Sequence, residues 1–198
     1  MRYATNKKEE TRQRIVKVAS NLFRAEGIEK VGVAPLMAAA GLTVGGFYSH
    51  FKSKEELIKE AVGCAYNDSS CQVFGEDDDG NISISLILDR YLNAKHRDSP
   101  EAGCVIAALS SELRNRPDDT RDRVSDMIKE TVQRIKNCLP EDTDAENRER
   151  MAWSVWAMII GTLQLARITT DKIASEKILN DGKISVLTFC GLPRQGKF

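Results

Sequence analysis

Two histidines, His50 and His96, and five cysteines, Cys64, Cys71, Cys104, Cys138 and Cys190, are the residues of this 198-residue chain that could serve as bases, nucleophiles or soft metal ligands. Their spacing does not assemble an active site. There is no Cys-x-x-Cys pair, and neither histidine lies in a metal or nucleophile motif. No Gly-x-Ser-x-Gly, His-Glu-x-x-His or phosphate-binding loop occurs either. An enzyme, a metal centre and a bound cofactor are therefore not expected. The run Glu76-Asp77-Asp78-Asp79-Gly80-Asn81 looks like half a calcium loop, but aligning Gly80 with that loop's glycine puts Leu86 where a bidentate Glu is required. It reads instead as a solvated acidic loop ahead of a helix, whose N-terminus favours negative charge.

The chemistry that the residues do support is the binding of a polyanion. Residues 1–54 carry ten Lys and Arg against four Asp and Glu, a balance of +6, and residues 55–198 carry −6, so the whole chain is neutral. Within the basic part, a short helix over Val44–Phe51 would be anchored by Phe47 and Phe51, one turn apart. It would turn Val44, Gly45, Tyr48 and Ser49 outward, flanked by Lys52 and Lys54. Small residues let a backbone approach base edges in a major groove, while Tyr, His and Lys reach phosphates. The same pattern also fits a plain three-helix bundle with a solvated basic face. His50 is either a phosphate donor or a packing residue beside Phe51. Arg2, Lys7, Lys8, Arg12 and Arg14 either reach the DNA backbone or minor groove, or lie solvated at a frayed end.

The elements that must position these residues are legible from punctuation and periodicity. Ile15, Ala19, Leu22 and Phe23 share one face of a first helix. Asn6, with Glu9, is a candidate cap for its start, Gly27 a left-handed end, and Ile28 an apolar lock. A second helix is expected over Val33–Ala40, with Gly32 at the N-cap, Pro35 in the first turn, and Leu36 and Ala40 inward. Gly41 ends it, Leu42 plugs the core and Thr43 caps the next helix, so Ala40-Gly41-Leu42-Thr43 reads as the turn of a helix-turn-helix. Ser53 with Glu56 forms a capping box for a fourth helix through Leu57, Ile58, Ala61 and Cys64.

Apolar residues make up 41 % of the chain and charged residues 29 %, enough for a sizeable core. The first seventeen residues hold no apolar run, so no signal peptide is expected, and the odd, widely spaced cysteines point to a reduced cytoplasm. Further helices are expected over Ile82–Arg97, Ala102–Arg116, Asp118–Leu139, Asp144–Arg167 and Asp171–Phe189, the last with a candidate break at Asn180-Asp181-Gly182. The segment from Met151 to Ala166 is short for a membrane span, and a buried helix explains it better. That helix is apolar on nearly every side. It must be covered on two faces, one by its own core and one by a partner subunit. Val155, Ile159, Thr162 and Ala166 form the row expected at the dimer interface, where Gly161 would allow close approach of the partner. Tyr66, Phe74, Tyr91, Met127, Trp153 and Trp156 either line a pocket for a small apolar or aromatic compound or belong to an ordinary core.

The run from Ala40 to Leu57, with the first helix, resembles the DNA-binding region of the TetR/AcrR family of bacterial transcriptional regulators over about residues 8–62. The resemblance implies an all-α homodimer. Its N-terminal three-helix helix-turn-helix domain would span residues 1–54, and its C-terminal helical ligand-binding and dimerisation domain residues 55–198. It implies that Thr43, Val44, Gly45 and Gly46 lie nearest double-stranded, near-palindromic operator DNA, and that Tyr48 and Lys54 touch phosphates. Ser49, His50 and Lys52 complete the expected DNA-binding set. Many members carry Lys at the position of Val44, and Thr or Ser at that of Gly46. Val44 could meet a thymine methyl instead, and Gly45-Gly46 weakens the helix by roughly 1 kcal/mol per Gly. The stretch Gly103 to Leu113 is similar to one subgroup in which a cysteine at the start of this helix senses electrophiles. A thiol in a helix's first turn feels the positive end of the dipole, which favours thiolate. Cys104 is therefore either a redox switch, a ligand-pocket residue or a small packing residue. The leading expectation is a repressor that a small-molecule effector releases from its operator.

Overall fold

The computed structural model describes residues 2–77, 79–140 and 144–193, with side chains from residue 7 onward. It is built of α-helices and two short 3-10 turns, as the all-α expectation requires. The helices are α1 (Arg2–Glu26), α2 (Val33–Ala39), α3 (Lys54–Phe74), α4 (Ile84–Tyr91), α5 (Ala94–Asp98), α6 (Val105–Leu113), α7 (Asp118–Asn137), α8 (Ala145–Ile168) and α9 (Lys172–Phe189). They divide into two compact units. One comprises Met1–Ser69 and Pro100–Val124, the other Ser70–Ser99 and Ser125–Phe198.

In the first unit α1 buries Ile15, Val16, Ala19 and Phe23, while Leu22 is half-buried. The helix begins at Arg2, so Asn6 lies inside it rather than at its cap. No Gly or Pro in residues 2–5 stops it earlier. Gly27 ends α1 at φ +94, and Ile28 is fully buried behind it. α2 closes with Gly41 at φ +70. Gly41 N–H donates to Ala38 O at 2.9 Å and Leu42 N–H to Met37 O at 2.9 Å, the paired bonds of a Schellman end. Leu42, expected in the core, is only half-buried.

One buried cation organises this unit. Arg24 is 4 % exposed, and its guanidinium donates to Ser20 O, Ser20 Oγ, Asn21 Oδ1 and, at 2.6 Å, to Gly103 O. Burial pushes its pKa below the ordinary arginine value. This tie also explains a difference from the sequence. The helix expected from Ala102 starts only at Val105, because Gly103 O is taken by Arg24 and Cys104 is extended (φ −63, ψ 125). At the other end of α6, Glu112 accepts the Glu29 N–H at 2.9 Å.

In the second unit, the helix expected over Ile82–Arg97 is two helices. Asn93 breaks it by capping the second, accepting the His96 N–H at 2.9 Å, and Ser83 caps the first by accepting the Leu86 N–H. Asp144 and Asp171 cap α8 and α9 in the same way. Within the acidic loop Asp77 Oδ1 accepts the N–H groups of Asp79 and Asn81, and Asp78 lies outside the described residues. α8 alone among the described helices is long and apolar enough to cross a membrane, yet Ala152, Val155, Trp156, Ile159, Leu163 and Ala166 along it are buried inside the chain.

α9 runs unbroken through Asn180-Asp181-Gly182. A Cβ on Gly182 would lie 2.3 Å from Thr162 Cγ2, so the glycine serves close packing of α9 on α8. Gly161, expected to allow close approach of a partner subunit, has only open space within the chain. Gly182→Ala is expected to destabilise the chain by about 1–2 kcal/mol, overpacking outweighing a roughly 1 kcal/mol gain in helix propensity. In a Thr162→Ala background the same change should become neutral or stabilising. Urea denaturation of the four variants reads this coupling; equal effects in both backgrounds would refute the packing account.

Candidate nucleic-acid interface

The segment following the α2 turn is a six-residue 3-10 helix, Val44–Ser49, not the α-helix expected to reach Phe51. Thr43 stands at its N-cap in extended conformation, and Gly46 N–H donates back to Thr43 O. Gly45 and Gly46, poor helix formers, leave the segment with its tighter, shorter pattern. Phe47 and Phe51 hold it from inside. Both are buried, and their rings stack at 5.5 Å between centroids.

With Phe47 inward, the opposite face is open. Tyr48 is 74 % exposed and Val44 47 %; Thr43, Gly45, Ser49 and Lys52 are also exposed, and Gly46 and His50 half-buried. A Cβ on Gly45 would meet nothing within 4 Å, so nothing inside the chain requires glycine at that position. Ser49 Oγ donates to Gly46 O at 2.7 Å, tying the small residues together. The His50 imidazole is held below its ordinary pKa by burial and by the charges of Lys8 and Arg12, and is neutral near pH 7.

Lys54, expected at the DNA, and Arg12, left open between DNA and solvent, are both bonded within the protein. Lys54 is half-buried, and its ammonium donates to Ile28 O at 2.7 Å, tying the start of α3 to the end of α1. Arg12 donates to the His50 carbonyl and pairs with Glu56 and Glu60. Sequence reasoning missed both ties, since each joins positions far apart in the chain. The expected capping box is present in a shifted form. Ser53 Oγ accepts the Glu56 N–H at 3.1 Å, but Glu56 Oε2 accepts from Lys52 N, at 2.6 Å, not from Ser53 N. That backbone bond, with Arg12, holds the Glu56 carboxyl below the usual carboxylate range. The side chain of Arg2 lies outside the described residues.

Of the residues expected to bind an effector, Tyr66 and Cys104 are buried in the first unit, and Tyr91, Met127 and Trp156 in the second. Tyr91 and Trp156 meet edge to face at 5.5 Å, and His96 lies against Tyr91 at 4.4 Å between ring centroids. Phe74 lies beneath Arg134, whose Cζ is 5.7 Å from the ring. Trp153 is 43 % exposed and lines no interior. Of the expected dimer residues, Val155, Ile159 and Ala166 are buried in the chain's own core, Thr162 packs at Gly182, and Gly161 is exposed. α8 instead shows Trp153, Ala157, Gly161, Leu165 and Ile168 along one exposed stripe at helical spacing. Two buried cations were not foreseen. Arg97 grips Asp98 through Nε and Nη2 at 2.8 and 2.9 Å and holds its carboxyl down to about 2, and it also donates to Ser175 Oγ. Lys183 on α9 donates to Asp89 on α4 at 2.7 Å.

The chain matches two family models. Residues 15–61 match bacterial regulatory proteins of the tetR family, and residues 83–181, half of the chain, match the tetracyclin repressor-like C-terminal domain. The HTH-type transcriptional repressor DhaR of Mycobacterium sp. (strain GP1) is 24 % identical over 139 residues, 70 % of either chain. A TetR transcriptional regulator from Chloroflexus aurantiacus J-10-FL has the same fold, with a TM-score of 0.76 at 26 % identity, covering 93 % of this chain and 96 % of that one. The reduced form of E. coli NemR, 19 % identical over 92 % of this chain and 98 % of that one, shares the fold with a TM-score of 0.71. An outward-facing reader segment on a helix-turn-helix head, and both family matches, lead to one conclusion: the chain belongs to the TetR/AcrR family and is a DNA-binding transcriptional regulator of that ligand-responsive type.

Proposed function

We propose that the protein is a cytoplasmic repressor. A homodimer would bind a near-palindromic operator through residues 43–52 of each protomer, and a small apolar or aromatic effector would release it. In this reading residues 1–54 are the DNA-binding domain and residues 55–198 bind the effector and the partner subunit. The observation that carries it is the reader segment, whose Phe47 and Phe51 are buried while Val44 and Tyr48 face outward. Thr43, Gly45, Gly46 and Ser49 let the backbone approach base edges, and Tyr48, His50 and Lys52 meet phosphates. Lys54 is assigned to the fold, because its half-buried ammonium is held by Ile28 O. The aromatic pair Tyr91 and Trp156 is the surface we assign to an aromatic effector, whose differential affinity for two states would shift the dimer away from DNA. The partner subunit is assigned to the exposed stripe from Trp153 to Ile168, in place of Val155, Ile159 and Ala166.

The second reading is a thiol switch at Cys104, within a subgroup marked by Gly103-Cys104. Cys104 stands at the N-cap of α6, next to Gly103, whose carbonyl accepts from the buried Arg24. Burial pushes the Cys64 and Cys138 thiols up, and Cys190 to about 11, which sets those three aside. N-ethylmaleimide should then abolish DNA binding of the wild type and spare Cys104→Ser. Loss in both variants, or in neither, would count against the switch.

The deciding experiment is titration against the DNA upstream of the protein's own gene, beside scrambled DNA, over a range of salt. Lys52→Gln should make the slope of log K against log salt shallower by about 0.9 for each phosphate that the variant no longer neutralises. Lys54→Gln should leave the slope alone and cost about 1 kcal/mol of stability. Reversal of those two results would return Lys54 to the phosphates. Leu165→Glu should convert dimer to monomer in sedimentation and weaken operator binding; an unchanged dimer would remove this stripe as the interface.

A further inference from the structure

Arg12 lies about one turn before the buried stretch of α1 and makes an unusual number of bonds for a side chain 22 % exposed. One guanidinium nitrogen donates to the His50 carbonyl. Nε donates to Glu60 at 3.2 Å, and Nη2 reaches Glu60 and, at 2.9 Å, Glu56. The guanidinium carbon sits 4.2 Å from the centroid of the Phe51 ring. Glu56 in turn accepts the N–H of Lys52 at 2.6 Å. Residues 50, 51 and 52 are thus held in succession: by a carbonyl, by a ring face, and by an N–H through one carboxylate. All three lie at the exit of the reader segment.

That exit needs holding. A six-residue 3-10 helix containing Gly45 and Gly46 has few backbone bonds and loses much entropy on ordering. Charge points the same way. One guanidinium faces two carboxylates, so the cluster carries no spare positive charge for a phosphate. Arg–carboxylate forks are also the most directional ion pairs a protein can make.

We infer that Arg12 is the positioning residue of the reader segment, fixing residues 50–52 against α1 and α3, and that it is not a DNA contact. This rests on the DNA-reading role proposed for residues 43–52, so its test has one arm without DNA. In the free protein, Arg12→Gln should speed amide exchange of residues 46–52 by about tenfold or more, with α8 unchanged, and Arg12→Lys should not restore protection. Unchanged exchange would overturn the inference.

The second arm uses Glu60→Gln, which keeps the arginine, and a duplex from upstream of the gene. If Arg12 positions the segment, loosening its fork should weaken selective binding several-fold and leave the salt slope unchanged. If Arg12 instead met a phosphate, freeing it from Glu60 would tighten binding and steepen the slope, and the inference would fall. Should the wild type show no preference for that duplex over scrambled DNA, the reader role itself is in question, and the exchange arm alone decides whether Arg12 holds the segment.

Discussion

Phe47 and Phe51 are the residues through which a weak piece of backbone becomes a usable surface. A 3-10 helix of six residues cannot persist alone, because its few hydrogen bonds do not offset the entropy of ordering it. Two buried rings at one-turn spacing supply the missing free energy. They also set its orientation, since burying positions 47 and 51 leaves 44, 45, 48 and 49 outside. Other features of the first unit act on this anchor: the glycine turn at Gly41 delivers the chain to it, and Lys54 and Arg12 secure the far side.

The body solves a different problem with similar means. Its helices are joined by buried cations whose donors are directed at hydroxyls and carboxylates. Arg97 reaches Asp98 and Ser175, while Ser175 Oγ donates to Ala166 O, so α5, α8 and α9 share one polar node. Such a node costs desolvation energy, but breaking one partner leaves an uncompensated charge, which makes the arrangement specific. Apolar packing does the rest, with Gly182 letting α9 close on Thr162.

How much of this was legible depends on range. Local signals read well. Gly27, Gly41, Pro35 and the Ser53–Glu56 pair act within a few residues of where they stand, and each performs close to its expected role. Phe47 and Phe51 were readable because one-turn spacing is a local pattern. Signals that need a distant partner were not. Arg12 and Lys54 look like DNA cations from sequence because basic residues near a helix-turn-helix have that reading by default, whereas Glu60 and Ile28 lie 48 and 26 positions away. The α8 row Val155, Ile159 and Ala166 looks like a partner surface in the sequence, because an all-round apolar helix does not reveal which of its faces its own chain covers. The break at Asn93 was within reach, since Asn is a strong N-cap, but a long apolar period outweighed it.

The first unit is completed by residues 100–124, well after the head itself has been made. On the ribosome, the segment containing Ile15 to Phe51 emerges before Gly103 can accept from Arg24 or Glu112 can cap the Glu29 N–H. Until then a guanidinium destined for burial stays hydrated, and the end of α1 has an open amide. The first unit is therefore assembled in two instalments, the buried arginine and the end of α1 gaining their partners only when the chain has grown past α6.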